Sequence, residues 1–346
     1  MRFYLFYIFL ILFSLFSCKN PKENNKSLEF VNVYSKRHYQ VDKDLFKKFE
    51  EEFDIKVNVV KASADELIER IITEGENCPA DLIFTVDAGK LYKAAEKKLL
   101  QKINSTEICP NINRSLIDKN ELWLPVTYRS RVIVYSNDRV DISELSTYDD
   151  LANDKWKNRI LVRPSSNAYN QALLSSIVAH HGNEYALNWC NKLVKNFARS
   201  PKGNDRDQVR AIAASVGDIA IVNSYYIGLL KNSSDSLDRE VANSVSVFFP
   251  NQGEDDRGSH INISGIGLLK NSPNLINAKK LMKFLTSEYA QNYYLTNSYE
   301  YPVNNLVKLT GTIADWGEFK IDTLDLNLLG SFREQAVEIF EKSSWK

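Results

Sequence analysis

Apolar and polar positions along this chain fall into short alternating runs, each followed by a stretch of helical period. Phe30–Tyr34 alternates and predicts a strand. A helix follows over Asp42–Phe53, with Asp42 and Asp44 at its start, where carboxylates favour the helix dipole. Lys56–Lys61 reads as a strand. Ala64–Glu74 reads as an amphipathic helix with Leu67, Ile68, Ile71 and Ile72 on its apolar side. Asp81–Val86 is a buried strand closed by Asp87-Ala88-Gly89, and a helix covers Lys90–Lys98. This β-α-β-α-β-α order predicts a parallel sheet covered by helices.

The pattern changes at Glu121–Ser136, where Leu122-Trp123-Leu124-Pro125-Val126 leads into a second extended stretch, Arg131–Ser136. This reads as a crossing into a second lobe. That lobe contains a strand Ile160–Arg163, helices Ala168–His181 and Glu184–Phe197, and a strand Asp218–Asn223. Asn232–Ser236 is a turn-rich break. Val245–Phe249 reads as the return crossing and Asn262–Leu269 as a strand back in the first lobe. Helices Pro273–Thr286 and Ser331–Ser343 cap the structure. The expected class is therefore α/β: two parallel or mixed sheets flanked by helices and joined by two extended crossings. Lobe one is placed at residues 28–125 plus 250–300, and lobe two at 126–249 plus 301–346. Such a hinged clamp closes on small ligands held between its lobes.

Residues 1–17 stand apart. Arg2 precedes the apolar run Phe3–Phe16, which is too short to read as a spanning helix and has the layout of a signal peptide. Leu15-Phe16-Ser17-Cys18 resembles the bacterial lipobox, whose Cys is acylated and anchors the mature protein to the membrane. An ordinary secreted protein cut near Cys18 is the alternative, and both place the protein outside the cytoplasm, in the periplasm or at the cell surface. Residues 18–27 are a polar tether.

Composition narrows the partners. Lys+Arg and Asp+Glu are equal at 44 each, so no basic stripe argues for nucleic acid. With Cys18 lipidated, Cys78, Cys109 and Cys190 cannot all pair within one chain, and no Cys-x-x-Cys spacing suggests zinc. Cys190, in an apolar helical context, is expected in the core.

The candidate chemistry lies just past the strand ends, where open α/β sheets bind ligands. His38 and Tyr39 follow the first strand, Tyr169 follows Ile160–Arg163, and Tyr225-Tyr226 follows Asp218–Asn223. One imidazole and four phenols make a cage for a hard, highly charged metal ion. The bland reading is a structural tyrosine or histidine at each position. With 17 Tyr in 346 residues, chance alone gives roughly one adjacent pair, so Tyr-Tyr counts only through its place at a strand-to-helix turn. The other pair, Tyr293-Tyr294, sits inside a helix and is assigned to packing. His180-His181 lack the i, i+4 spacing of a metal motif and are assigned to a helix C-terminus. His260, in a charged loop, is expected in solvent.

Several segments together resemble the ferric-iron-binding proteins of bacterial ABC importers, within the periplasmic binding protein superfamily. They are Val33–Tyr39, Ala64–Arg70, Pro79–Gly89, Arg131–Tyr135, Ser165–Gln171, Asn223–Tyr226 and Asn262–Gly267. The resemblance covers nearly all of the chain after residue 27. It implies a type II two-lobe fold and a ferric site of the one-His, four-Tyr subgroup, whose roles match His38, Tyr39, Tyr169, Tyr225 and Tyr226. It also implies a monomer that delivers iron to an inner-membrane permease. Phenolates favour Fe³⁺, while the imidazole leaves Fe²⁺ capture open. Arg37, Arg129, Arg131 and Arg206 are candidates to offset surplus negative charge near the ligands.

Two rival classes remain at this level. A binding protein for a polyamine, thiamine or an oxyanion would have the same architecture, and Ser165, Ser166 and Ser224 suit an anion. An extracytoplasmic enzyme is the other, although the chain has no Gly-x-Ser-x-Gly elbow, His-Glu-x-x-His or P-loop.

Overall fold

A computed structural model describes residues 29–37 and 39–346. The signal segment 1–17, Cys18, the 18–27 tether and His38 lie outside the described residues.

The first lobe begins as the hydrophobic pattern predicts. β1 (Glu29–Ser35) pairs in parallel with β2 (Ile55–Lys61) and β3 (Leu82–Thr85). Between them run α1 (Gln40–Phe53), α2 (Ala64–Glu74) and α3 (Ala88–Glu96). Helix α2 starts on a capping box in which Ser63 and Glu66 satisfy each other's backbone N–H groups. The side chain of Asp87 caps α3 by accepting from the Gly89 N–H.

The crossing is one continuous strand rather than two stretches. β4 (Trp123–Ser136) pairs with β8 through Ser130 and then with the second sheet from Arg131 onward. Its 14 residues carry it from one lobe to the other, with a register shift between Pro125 and Thr127. The second lobe holds β5 (Ile160–Leu161), α4 (Ala168–His181), α5 (Asn183–Val194), α6 (Asp205–Ala213), β6 (Ile219–Asn223), α7 (Tyr225–Lys231), α8 (Ser236–Asn243) and β7 (Val245–Phe248). The strand at Ile160 stops at Leu161, two residues early, and the chain turns from there toward Tyr169.

Val245–Phe248 is not the return crossing. β7 pairs with Ile133–Ser136 and so belongs to the second sheet. The return is made by the following loop and by β8 (Ile261–Leu268), which lies antiparallel between β3 and β4 and makes the first sheet mixed. β9 (Tyr301–Pro302) adds to β4 at Thr127 and Tyr128. Further helices include α9 (Leu275–Leu285), α10 (Glu288–Ser298), α11 (Leu328–Ser331) and α12 (Arg333–Lys342), besides the short helical turns Ser105–Ile108 and Gly311–Asp315.

Both sheets are covered on both faces around their central strands, whose apolar runs are near-continuous, while the edge strand β2 alternates buried and exposed positions. Leu45, Phe49, Leu281 and Leu285 pack on one side of the first sheet, and Leu67, Ile71, Leu91 and Leu329 on the other. Trp156, Leu173, Ile177 and Phe340 cover one face of the second sheet, and Val209, Ile212, Ile227 and Leu230 the other. Cys190 lies in this core with no exposure, and Cys78, Cys109 and Cys190 are all free thiols.

Candidate metal centre

Three strand-to-helix turns bring the four tyrosines to one place. Tyr39 is the N-cap residue of α1, in extended conformation, at the carboxyl end of β1. Tyr169 lies in the first turn of α4, where the Asn167 side chain accepts from its backbone N–H. Tyr225 and Tyr226 open α7 directly after β6. A strand would send two adjacent side chains to opposite faces, but the turn into a helix does not. Their rings lie with centroids 4.3 Å apart. The Tyr169 and Tyr225 hydroxyls are 3.4 Å apart. Tyr39, from the other lobe, is close enough to Tyr169 and Tyr226 for their charges to interact. A cavity of ≈ 230 Å³ beside them is lined by Tyr39, Tyr225, Tyr226, Arg206, Leu229 and Glu300.

Burial and crowding both act on the ionisation of these phenols. Burial, then the neighbouring Tyr169 and Tyr39, push the Tyr225 phenol well above its usual value. Burial and Tyr169 raise Tyr226 to about 12. Burial, Tyr169 and Glu300 raise Tyr39. The Tyr39, Tyr225 and Tyr226 phenols are therefore protonated at neutral pH, and the charges they would carry repel one another. Two features favour the ionised form. α1 and α4, each of 14 residues, start at the site and direct the positive ends of their dipoles there. Arginines surround the rings: Arg129, Arg131 and Arg163 lie 5.5, 5.9 and 5.6 Å from the Tyr169 ring centre, and Arg206 lies 5.9 Å from that of Tyr226.

The four arginines expected here have distinct settings. Arg37 is buried and bonded to Asp42, Glu300 and Ser264, with its guanidinium 4.9 Å from the Tyr39 ring centre. Two carboxylates already balance its charge, so it fixes Tyr39 rather than supplying a free cation. Arg131 pairs with Asp205 at 2.6 Å and bonds Asn170 at 2.7 Å, next to Tyr169. Arg129 donates to the Val86 carbonyl of lobe one while its other Nη is buried without a partner. Arg206 carries a buried, unpartnered Nε. Such donors are expensive to bury unless something anionic completes them.

Sequence reasoning did not find Arg163, Asp205 or Glu300. Asp205 joins Arg131 and Arg163, at 2.6 and 2.7 Å. Its helix was detectable, because Asn204 and Asp207 form a capping box. Glu300 has no local signature. The expectation for His260 is overturned: it is 3% exposed. Its backbone accepts from the Arg131 N–H and donates to the Tyr148 hydroxyl, so the β8 start is held inside the crossing. Burial and Arg257, Arg131 and Arg129 hold its imidazole far below its usual value, hence neutral. His180 lies in the last turn of α4 and pairs with Asp322 at 3.0 Å. Tyr294 packs in the first-lobe core and donates to Asp42. Among the described residues no group of three or more His, Cys, Asp and Glu is placed to hold a metal ion, so the tyrosines form the candidate centre.

A two-lobe α/β clamp with donors from both lobes is the architecture of a solute-binding protein. The chain belongs to the bacterial extracellular solute-binding protein family, whose model matches residues 44–321. It is 44% identical to iron uptake protein A1 of Synechocystis sp. strain PCC 6803 over 316 residues, 91% of this chain and 87% of that protein. A Trichodesmium protein (IdiA, FutA) solved in complex with iron and citrate superposes with a TM-score of 0.87 at 43% identity, over 92% of this chain and all of that one. The ferric binding protein of Campylobacter jejuni superposes with a TM-score of 0.85 at 41% identity, over 91% of this chain and all of that one. The fold is the type II periplasmic-binding-protein fold of these structures.

Proposed function

We propose that this protein captures ferric iron between its lobes and delivers it to an ABC permease. The observation that carries this is the meeting of Tyr39, from one lobe, with Tyr169, Tyr225 and Tyr226, from the other, inside a ring of arginines. The ligand set is these four phenols and His38. Iron-named relatives and the iron-bound neighbour support the choice of metal.

The chemistry follows from the phenols. Fe³⁺ displaces phenolic protons, as metals do with weak acids, so binding releases protons. Three phenolates balance the ion and a fourth leaves the centre net negative. Arg129 and Arg206 then supply the compensating charge. Iron docks first on the three tyrosines of lobe two, and closure adds Tyr39 and His38. Only the closed state offers every ligand, so the metal shifts the population toward it. The lobe boundaries expected from the pattern shift on this reading: lobe one runs to Ser130 and takes in Ile261–Leu268, Tyr301–Pro302 and Leu324–Leu329, and lobe two holds Arg131–Phe248 and the chain from Arg333. The closed monomer, tethered outside the cytoplasm by a lipid on Cys18, presents itself to the permease and turns over no substrate. Fe²⁺ is the weaker cargo, because phenolate is a hard donor.

Arginines outnumber carboxylates around the phenols, which disfavours a polyamine. They favour an oxyanion as the second reading. Titration with ferric iron, followed by visible absorption and elemental analysis, separates the two. The iron reading expects a tyrosinate charge-transfer colour and bound metal. A colourless protein that binds phosphate without metal would establish the other.

A further inference from the structure

The lobes are joined by a third passage of the chain, and a partly buried ion pair sits where it changes lobe. Leu324, Leu326 and Leu329 pack with Leu91 and Ala94 on the first sheet, whereas Ala336, Ile339 and Phe340 pack with Leu173 and Ile177 on the second. The short α11 lies so close to α3 that a Cβ on Gly330 would stand 2.4 Å from Tyr92 Cδ1, and one on Gly89 2.6 Å from Arg333 Nη2. Arg333 begins α12 at this point. Its Nη2 donates to Asp87 Oδ2 at 2.5 Å, and its Nη1 donates to Gln171 Oε1 at 3.1 Å.

These two acceptors belong to different lobes. Asp87 caps α3 and is 1% exposed. Its other oxygen is held by the Gly89 N–H at 3.1 Å and Asn262 Nδ2 at 2.9 Å, so it presents a fixed carboxylate. Gln171 lies two residues beyond Tyr169 on α4, and its Nε2 bonds the Ser165 carbonyl in the loop that enters that helix. One guanidinium thus ties a rigid anchor in lobe one to the helix that carries Tyr169 in lobe two.

We propose that Asp87, Arg333 and Gln171 form an interlobe latch that sets how long the clamp stays closed. The inference rests on the ferric-iron reading for its cargo, though the latch itself is a property of the apo chain. Arg333 holds both acceptors in this structure, and on this reading hinging the lobes apart would draw Asp87 away from Gln171. It touches neither metal nor phenol and acts through the position of α4. Breaking a charge-assisted contact of this kind speeds opening without altering the ligands.

The test compares wild type with Arg333→Gln, Arg333→Lys and Gln171→Glu. Iron loss to excess chelator from Arg333→Gln is expected to be roughly ten-fold faster. Its visible absorption band should stay at the wild-type wavelength, and small-angle scattering of its apo form should show a larger radius of gyration. Arg333→Lys should recover part of the effect. Gln171→Glu gives Arg333 a second carboxylate and should slow release, which keeps the test alive if Arg333→Gln does not fold. Wild-type release rates and radii in all variants would overturn the latch. If wild type takes up no iron, the cargo assignment fails, and the scattering of the apo variants still decides whether the latch exists.

Discussion

Tyr225 differs from Tyr293 and Tyr294 in what its hydroxyl faces. Tyr293 and Tyr294 donate to Asp44 and Asp42, whereas Tyr225 has another phenol, that of Tyr169, for a neighbour. Replacing Tyr225 or Tyr226 by Phe should therefore cost little stability, since a poorly paired hydroxyl leaves a buried site, while iron affinity falls by about a hundred-fold or more for a lost ligand. Competition against a chelator, with a thermal scan of each apo variant, checks both halves. The raised phenol pKa values also fix two pH effects. Iron affinity should climb with pH below 10, because each phenolate formed expels a proton; titration in unbuffered solution would detect that acid. In the apo protein the folded pKa values lie above the unfolded value of about 10. The stability they contribute is complete below pH 10 and is lost as pH rises toward and through the folded values, which denaturant titration at pH 9 and 11 would reveal. The four tyrosines could be picked from the sequence because each follows a strand. The arginines around them were less legible: Arg163 and Asp205 meet through folds of the chain 42 residues apart, and nothing local marks that.

At the scale of elements, helix starts do most of the positioning. Asn167 caps the helix that carries Tyr169, so Asn167→Ala should cost about 1 kcal/mol and loosen that ring; thermal denaturation with iron titration measures both. Arg131 pairs with Asp205 where both are essentially buried. Arg131→Met should cost roughly 3–5 kcal/mol, because it strands a carboxylate, although Arg163 shares that load. Denaturant midpoints report the difference. Ala64–Glu74 was readable from its strong amphipathic period, and Ala168–His181, whose buried residues run almost continuously, from its breaks at Asn167 and Gly182; both agree with the expected bounds at both ends. Val245–Phe248 was misread because an apolar run shows that a strand exists but not which sheet it joins. His260 was misread for a related reason. The charges of Glu254–Arg257 describe their own loop, while the backbone partners that bury His260, at Arg131 and Tyr148, lie over a hundred residues away.

Two sheets sharing one long strand make a molecule whose candidate ligands come from separate bodies. Tyr39 stands on the first and the other three tyrosines on the second, so on the proposed reading the ligand set is completed only as the clamp closes. Ferric iron should accordingly shrink the radius of gyration seen by small-angle scattering, and Tyr39→Phe should bind iron more weakly while closing less. Visible absorption of the purified wild-type chain during stoichiometric addition of ferric iron tests the central claim most directly. A tyrosinate-to-iron band that grows to saturation at about one metal per chain, and weakens in Tyr225→Phe and Tyr226→Phe, is the expected result. No band, with no metal retained after desalting, would contradict it.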